Sequence, residues 1–185
     1  MEEIFYAKDR RTWRDWLEQH FRTKKLIWLQ FPNKASGIPS VSYSDAVEEA
    51  ICFGWIDSTI RTYDQNSTIQ RFSIRNPKST FSQLNRERVA WLYREGLIHP
   101  DVLESLRPVL EEEFRYPEDI ISIIREDPQA WHHFQQFSEP YKRIRLAYID
   151  IARDYPEHFQ KRLQHFLRKT RQGKLIVARG SEKYY

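Results

Sequence analysis

The chain has 185 residues, of which 40% are hydrophobic and 30% are charged, and its formal net charge is +4. These proportions exclude a disordered chain and are typical of one globular domain, or one with a small appendage, that buries roughly 70% of its unfolded surface. The single cysteine excludes an internal disulfide, and no apolar run approaches the ~18 residues of a membrane-spanning helix. Because the first residues lack the basic and apolar parts of an export signal, the sequence predicts a cytoplasmic protein without a membrane span.

Charge is distributed unevenly along the chain. Residues 141–185 hold 12 Lys and Arg against 4 Asp and Glu, whereas residues 1–140 hold 18 against 22. Such a basic end is typical either of a protein that binds a polyanion or a membrane surface, or of helices with solvated cationic faces. Phe159, Phe166 and Leu167 alternate with these cations but serve an apolar helix stripe, so the sequence does not favour nucleic acid as the partner.

The first half begins with a predicted helix and a buried strand. Asp9 is a suitable N-cap for a helix in which Trp13 and Trp16 recur at helical spacing and form one apolar face. Residues 25–31 are apolar at both alternating positions, which indicates a strand covered on both sides. We therefore expect this strand to lie inside a sheet.

A short helix and a β-hairpin are predicted next. Ser42 can cap the helix, and Gly54 stands where the left-handed residue that ends a helix is expected. Residues 55–63 and 68–75 are rich in Thr, Tyr, Ile and Phe, and they flank a turn at residues 64–67, as the arms of a hairpin do.

Side-chain alternation on the two arms predicts how they pair. Pairing Tyr63 with Ile69 across a five-residue loop brings the apolar residues onto one face. On the other face, Asp57 then lies opposite Arg75, so that its carboxylate is surrounded by guanidinium groups. Trp55 falls on the same polar face, where we expect it either to join the core or to wall a pocket.

The remaining sequence predicts helices. Ser79 or Ser82 can cap the helix that follows the hairpin, and apolar residues keep the helical period through the rest of the chain. This order of elements gives an α+β fold, in which a small antiparallel sheet with a β-hairpin is covered by helices and followed by a helical C-terminal unit. We expect an α+β domain at residues 1–115, a helical unit packed on it at residues 116–173, and a loose tail at residues 174–185.

Several of these residues form motifs of a known family. The motifs are Trp13-x-x-Trp16-Leu17, Cys-Phe-Gly-Trp-Ile-Asp at residues 52–57, Arg71-Phe72-x-x-Arg75 and Ser82-x-x-Asn85, with Pro117-x-Asp119 and Asp127-Pro128 in the helical end. Through them the chain resembles the bacteriocin-protection family, also called YdeI/OmpD-associated, over most of its length. It departs from the family pattern at Ile74, where Pro is usual, and at Phe81, where Trp is usual. Because the family name reflects protection phenotypes and an association with a porin, the resemblance implies a bacterial stress-protection role and no particular reaction.

An anion site is predicted between the hairpin and the start of the following helix. Arg71, Arg75 and Lys78 precede a helix N-terminus, where fixed cations and unpaired amide groups both favour a phosphate or carboxylate. The predicted ligand-binding residues are Asp57, Arg71, Arg75, Lys78, Ser79, Asn85 and Trp55. The structural alternative is that Asp57 forms only an ion pair with Arg75 on the sheet face.

No residue is predicted to be catalytic, and neither a metal site nor a cofactor is expected. Cys52 lies near the negative end of its helix, which disfavours a thiolate and predicts a packed, inert thiol. A neighbouring arginine would make Asp57 a poor general base. The adjacent His132 and His133 are directed apart around a helix, and the other histidines lack a carboxylate at ligand spacing.

Three functions stay open from the sequence. The first is non-catalytic binding of a small anionic ligand by a stress-protection protein. The second is an enzyme acting on a substrate with a phosphate or carboxylate group, in which Asp57 orients the substrate and the arginines stabilise negative charge. The third is binding of a polyanion or a protein partner through the basic C-terminal helices.

Overall fold

The computed structural model describes residues 3–177 and 180–185. These residues form four β-strands and eight α-helices, which confirms the predicted α+β class. The chain divides into two compact units. The first unit comprises Met1–Thr80 and Val89–Leu110, and the second comprises Phe81–Arg88 and Glu111–Tyr185.

The elements follow the predicted order, with one additional strand before the first helix. The strands are β1 (Ile4–Tyr6), β2 (Leu26–Pro32), β3 (Trp55–Asp64) and β4 (Ser67–Ile74). The helices are α1 (Arg10–His20), α2 (Tyr43–Cys52), α3 (Gln83–Arg94), α4 (Pro100–Glu111), α5 (Glu118–Arg125), α6 (Pro128–Gln136), α7 (Glu139–Asp150) and α8 (Pro156–Arg171). Short 3-10 helices lie at Lys34–Ser36 and Glu182–Tyr184.

Local signals set the ends of the first two helices. Asp9 accepts a hydrogen bond from the backbone N–H of Thr12 at 2.8 Å, and Ser42 accepts one from that of Asp45 at 3.1 Å. Both predicted N-caps are therefore confirmed. Gly54 has a φ of +73°, in the left-handed region that favours glycine, and it ends α2 where the sequence predicts.

The four strands form one mixed sheet in the order β1-β2-β4-β3. The prediction that β2 lies inside a sheet is confirmed, because β1 and β4 flank it. The prediction of a purely antiparallel sheet is wrong at one edge, where β1 pairs with β2 in parallel. The reason is that α1 connects these two strands as a crossover, which returns the chain in the same direction.

The hairpin is confirmed, but its predicted register is wrong. Asp57 lies opposite Phe72 rather than Arg75, and the register shifts twice along β3. The loop has two residues instead of five, and it is tightened by Asp64, whose Oδ1 accepts from the backbone N–H of Asn66 at 2.7 Å. A shorter loop and the bulges together move every cross-strand partner.

Aromatic side chains form the core of the first unit. The rings of Trp13 and Trp16 on α1 stack with their centres 5.3 Å apart. Trp13 meets Phe72 of β4 at 5.3 Å, and Trp16 meets Trp55 of β3 at 5.9 Å, both edge to face. All four residues are buried. The sheet face that carries Trp55 and Phe72 is therefore the face on which α1 packs.

Helices α5 to α8 enclose a separate apolar core in the second unit. Gly173, with a φ of +63°, follows α8 where the sequence predicts the end of the last helix. Residues 180–185 fall in the stretch predicted as a loose tail. Tyr184 is nevertheless only 3% exposed, and its hydroxyl accepts a hydrogen bond from Nε of Arg88 at 3.1 Å.

The longest of the described helices is α8, with 16 residues, and Lys and Arg recur along it. Within residues 3–177 and 180–185, no helix combines the length and the apolar composition that crossing a membrane requires.

Candidate anion-binding site

The structure separates the predicted hairpin residues onto two faces of the sheet. Asp57 shares the face of its partner Phe72, on which α1 packs, and its Oδ2 accepts from the hydroxyl of Tyr43 at 2.6 Å. Arg71 precedes Phe72 on β4 and so points to the opposite face, where its Nη1 lies 3.4 Å from Oγ of Ser58. The predicted polar face, with Asp57 among the guanidinium groups, is therefore wrong.

The next predicted residues lie in the core and in a loop. Trp55 is 1% exposed, and its indole N–H donates to the carbonyl oxygen of Phe21 at 3.4 Å, so it belongs to the core. Arg75, Lys78 and Ser79 lie in the loop after β4, where Arg75 donates from Nη2 to the carbonyl oxygen of Ser79. Burial lowers the pKa of Arg75 from its ordinary value.

Asn85 lies in the part of α3 that belongs to the second unit. Its Oδ1 accepts from Nη1 of Arg88 at 2.7 Å, and its backbone N–H donates to Oγ of Ser82 at 3.3 Å. Of the two predicted caps, Ser82 is thus the one that caps α3. The role of all seven predicted residues in ligand binding stays a prediction.

A cationic pocket lies in the second unit, between α7, α8 and Ile176. Its volume is about 700 Å³. The basic side chains that line it are Arg145, His158, Lys161, Arg162, His165, Arg168 and Arg171. None of the described lining residues is an aspartate or a glutamate, so the pocket concentrates positive charge within a concave surface.

Arg145 is the buried cation of this pocket, with 8% of its surface exposed. Its Nη2 donates to the hydroxyl of Tyr185 at 3.0 Å, and its guanidinium group lies 5.6 Å from the ring centre of Tyr141. Its Nε has no hydrogen-bond partner among residues 3–177 and 180–185. Because a buried donor without a partner destabilises a fold by roughly 1–3 kcal/mol, an anionic oxygen placed there would be stabilising.

Two arginines of α8 are held in place by neighbours in the second unit. The guanidinium group of Arg162 lies 3.9 Å from the ring centre of Tyr148, and its Nη1 donates to the backbone carbonyl of the same tyrosine at 2.6 Å. Arg171 donates from Nε to the carboxylate of Asp127, the N-cap of α6. The charge of Arg171 is thus balanced by a carboxylate, whereas Arg162 is held by an aromatic ring and a carbonyl.

His165 and Arg168 form a hydrogen-bonded pair on α8. Nη2 of Arg168 lies 2.9 Å from Nδ1 of His165, and because arginine can only donate, Nδ1 must be the acceptor nitrogen of a neutral imidazole. Burial, followed by the charges of Arg168, Lys169 and Arg145, lowers the pKa of His165 from its ordinary value. The neutral ring agrees with a site crowded with cations.

The sequence identified the cations of α8 but missed Arg145. Tyr141, Arg145 and Ile149 follow each other at intervals of four and therefore share one face of α7. All three residues are buried. An arginine in the middle of an otherwise apolar helical stripe is the signal that could have identified it, because arginine is rarely buried without a partner.

Outside the pocket, the predicted packing of Cys52 is confirmed, and the inertness of its thiol stays a prediction. Cys52 is fully buried, and burial, with the nearby carboxylate of Glu49, raises the pKa of its thiol to about 12. In the part of the chain that the structure describes, no group of three or more His, Cys, Asp and Glu side chains is arranged to hold a metal ion.

The fold and the pocket define an α+β protein whose helical unit carries a concave cationic surface. Residues 5–105 match the family described as a domain of unknown function (DUF8412), and since this match covers more than half of the chain, the protein belongs to that family. Residues 113–173 match the family described as bacteriocin-protection, YdeI or OmpD-associated. No curated protein and no solved structure matches the chain.

The second match confirms the resemblance seen in the sequence, over part of the range predicted for it. It covers α5 to α8, which enclose the core of the second unit, and two of these helices, α7 and α8, line the cationic pocket. The Cys-Phe-Gly-Trp-Ile-Asp motif at residues 52–57 lies in the range of the first match instead.

Proposed function

We propose that this protein binds a small anionic ligand, without catalysis, in the cationic pocket of α7 and α8. The observation that carries the proposal is Arg145, a buried cation that lines the pocket and whose Nε has no hydrogen-bond partner among the described residues. The family description of residues 113–173 gives the context, which is bacteriocin protection rather than a reaction.

A phosphate or carboxylate group suits the chemistry of this pocket. Arg145 supplies a buried N–H, and Arg162 and Arg168 supply guanidinium groups already oriented by their neighbours. Hydrogen bonds between guanidinium groups and oxyanions are charge-assisted and directional, and pre-oriented side chains lose less entropy on binding. The volume of about 700 Å³ falls within the range of roughly 300–1,000 Å³ for small-molecule sites.

Calorimetric titration of the full chain with phosphate and with sulfate at low ionic strength tests the proposal. We expect Arg162→Gln and Arg168→Gln each to weaken binding about tenfold, because each removes a hydrogen bond to a charged group worth roughly 1.5 kcal/mol. Lys174→Gln is the matched control. Lys174 is an exposed cation of the same basic segment that is not among the lining residues, so its loss should change the affinity by less than about twofold.

The same titration examines the site predicted on the loop after β4. If Arg75→Ala weakens anion binding and Arg162→Gln does not, the ligand is held by that loop and the pocket of α7 and α8 is not the site. If Arg162→Gln, Arg168→Gln and the control Lys174→Gln lose affinity equally, the anion is attracted diffusely to a basic surface. The proposal of a defined pocket is then wrong. The enzymatic alternative stays a prediction.

A polyanion is the second candidate ligand, because Lys161 and Arg168 line the pocket and are also exposed at the surface. The dependence of affinity on salt separates the two. A polyanion such as heparin that neutralises several cations shows a steep fall of log K with log salt, whereas a single small anion shows a shallow one. Tight, steeply salt-dependent binding of heparin together with no binding of phosphate or sulfate would favour the polyanion.

A further inference from the structure

A second cavity adjoins the cationic pocket within the second unit. Its volume is about 1190 Å³, and it shares four lining residues with the pocket, which are Arg145, Tyr148, His165 and Ile176. The two cavities therefore lie next to each other at these residues.

The two cavities differ in chemistry. The second cavity has an apolar wall formed by Phe81, Leu84, Phe114, Ile144, Ala147 and Ile151. Two of its three acidic residues are paired locally, since Arg86 pairs with Glu112 at 2.5 Å and Asp150 accepts from Arg153 at 2.6 Å, and Glu113 is the third. The first pocket attracts an anion, whereas the second offers apolar surface next to charges of both signs.

Two large side chains that line the second cavity are exposed to solvent although they are largely apolar. Ile151 is 77% exposed and Tyr148 is 51% exposed, and both line the second cavity. Covering them with an apolar group would remove that surface from water, which is favourable in proportion to the area buried.

We propose that the ligand is an amphipathic organic anion, whose phosphate or carboxylate head lies among Arg145, Arg162 and Arg168 and whose alkyl or aryl body lies in the second cavity. This inference rests on the anion site proposed above and assigns the chemical class of its ligand. Charge complementarity places the head, because no aspartate or glutamate is among the described lining residues of the first pocket, whereas Glu112, Glu113 and Asp150 line the second cavity. The apolar wall receives the body, because the shared Arg145 puts the two cavities within reach of one molecule.

Calorimetric titration with inorganic phosphate, octyl phosphate and octanol, each below its aggregation concentration, tests the ligand class. We expect octyl phosphate to bind at least about 100-fold more tightly than phosphate, since each buried methylene adds about fourfold. Octanol should bind far more weakly than octyl phosphate, because it lacks the anionic head.

Ala147→Phe fills the second cavity without changing charge, and Ala147 does not line the cationic pocket. We expect this variant to lose the advantage of octyl phosphate and to keep the wild-type affinity for phosphate. Ile151→Gln is the second variant, and because Ile151 is exposed, the substitution should leave the fold intact. We expect it to reduce the ratio of the affinity for octyl phosphate to that for phosphate about threefold or more. Circular dichroism of both variants checks that they are folded.

The outcomes separate this inference from the function on which it rests. If phosphate binds but octyl phosphate binds within about threefold of it, the amphipathic ligand is wrong and the anion site stands. If octyl phosphate binds tightly and both variants leave its advantage intact, the apolar body lies elsewhere and the inference is wrong. If neither phosphate nor octyl phosphate binds, the anion site and the amphipathic ligand both fail.

Discussion

Arg162 and Tyr148 are joined in two ways. The guanidinium group lies 3.9 Å from the ring centre, and its Nη1 donates to the backbone carbonyl of the same tyrosine at 2.6 Å. Both residues line the cationic pocket, so the contact orients one of its cations before any ligand arrives.

Removing the ring beneath Arg162 should weaken anion binding. We expect Tyr148→Leu to lower the affinity for sulfate about threefold, because an exposed cation–π contact is worth roughly 0.5–1 kcal/mol and its loss leaves the guanidinium less ordered. Tyr148→Phe is the matched variant, since it keeps the ring and removes only the hydroxyl. Calorimetry of the two variants side by side checks this, and equal affinities for them would contradict a role for the ring.

His165 should make anion binding depend on pH. Its lowered pKa means that, as pH falls below the ordinary value of 6.5, the unfolded chain takes up this proton more readily than the folded one. The contribution of His165 to the free energy of unfolding of the free protein should therefore decrease as pH falls. An anion that balances the charges of Arg145, Arg168 and Lys169 should restore this contribution. We expect sulfate to bind more tightly at pH 5.5 than at pH 8 and to raise the pKa of His165.

Titration of the His165 ring signals by nuclear magnetic resonance, with and without sulfate, measures this shift. His165→Gln identifies the signals and should flatten the dependence of sulfate affinity on pH over this range. A His165 pKa that does not move when sulfate is added would show that the anion binds away from this residue.

A buried carboxylate should be important for the stability of the first unit. Glu49 is 2% exposed, and its Oε2 accepts from Nη1 of Arg14 at 2.7 Å, while its Oε1 accepts from Nε of Arg10. We expect Glu49→Gln to lower the free energy of unfolding by about 3 kcal/mol, because the substitution leaves the partly buried guanidinium group of Arg14 without its carboxylate partner.

Chemical denaturation checks this value against the exposed pair of Glu104 and Arg107. The side chain of Glu104 is 79% exposed, so Glu104→Gln should change the free energy of unfolding by less than about 1 kcal/mol. Similar losses of unfolding free energy for Glu49→Gln and Glu104→Gln would mean that burial does not strengthen the ion pairs of Glu49.

The thiol of Cys52 should be unreactive while the protein is folded. Burial raises its pKa to about 12, so the thiolate is scarce at pH 8, and the side chain is inaccessible to a reagent. We expect a disulfide reagent to modify Cys52 at least about 1000-fold more slowly in the native protein than in denaturant, with access only through opening of the fold. Immediate stoichiometric reaction of the native protein would contradict this expectation.

Much of the fold could be predicted from short stretches of sequence. The N-caps Asp9 and Ser42 and the helix-ending glycines Gly54 and Gly173 are confirmed, because each depends on hydrogen bonds or backbone angles within a few residues. The existence of the hairpin is confirmed for the same reason, since strand-forming residues flank a compact turn.

Pairing across the sheet could not be predicted in this way. A two-residue loop and two bulges place Asp57 opposite Phe72, and one residue of shift is enough to send Arg71 to the other face. The parallel strand β1 has only three residues, and each of them pairs with a residue 24 positions further along the chain, so no local pattern marks it.

The sequence by itself determined the α+β class, the positions of several helix ends and the basic character of the C-terminal segment, because these follow from composition and near-neighbour interactions. Only the tertiary structure decided which cations share a cavity. Arg145 belongs to α7 and Arg162 and Arg168 belong to α8, and they line one pocket because the apolar faces of these helices pack in a common core. The burial of Arg145, with no partner for its Nε among the described residues, also results from that packing. The sequence shows that the residue is charged, but it does not show which groups surround it in the fold.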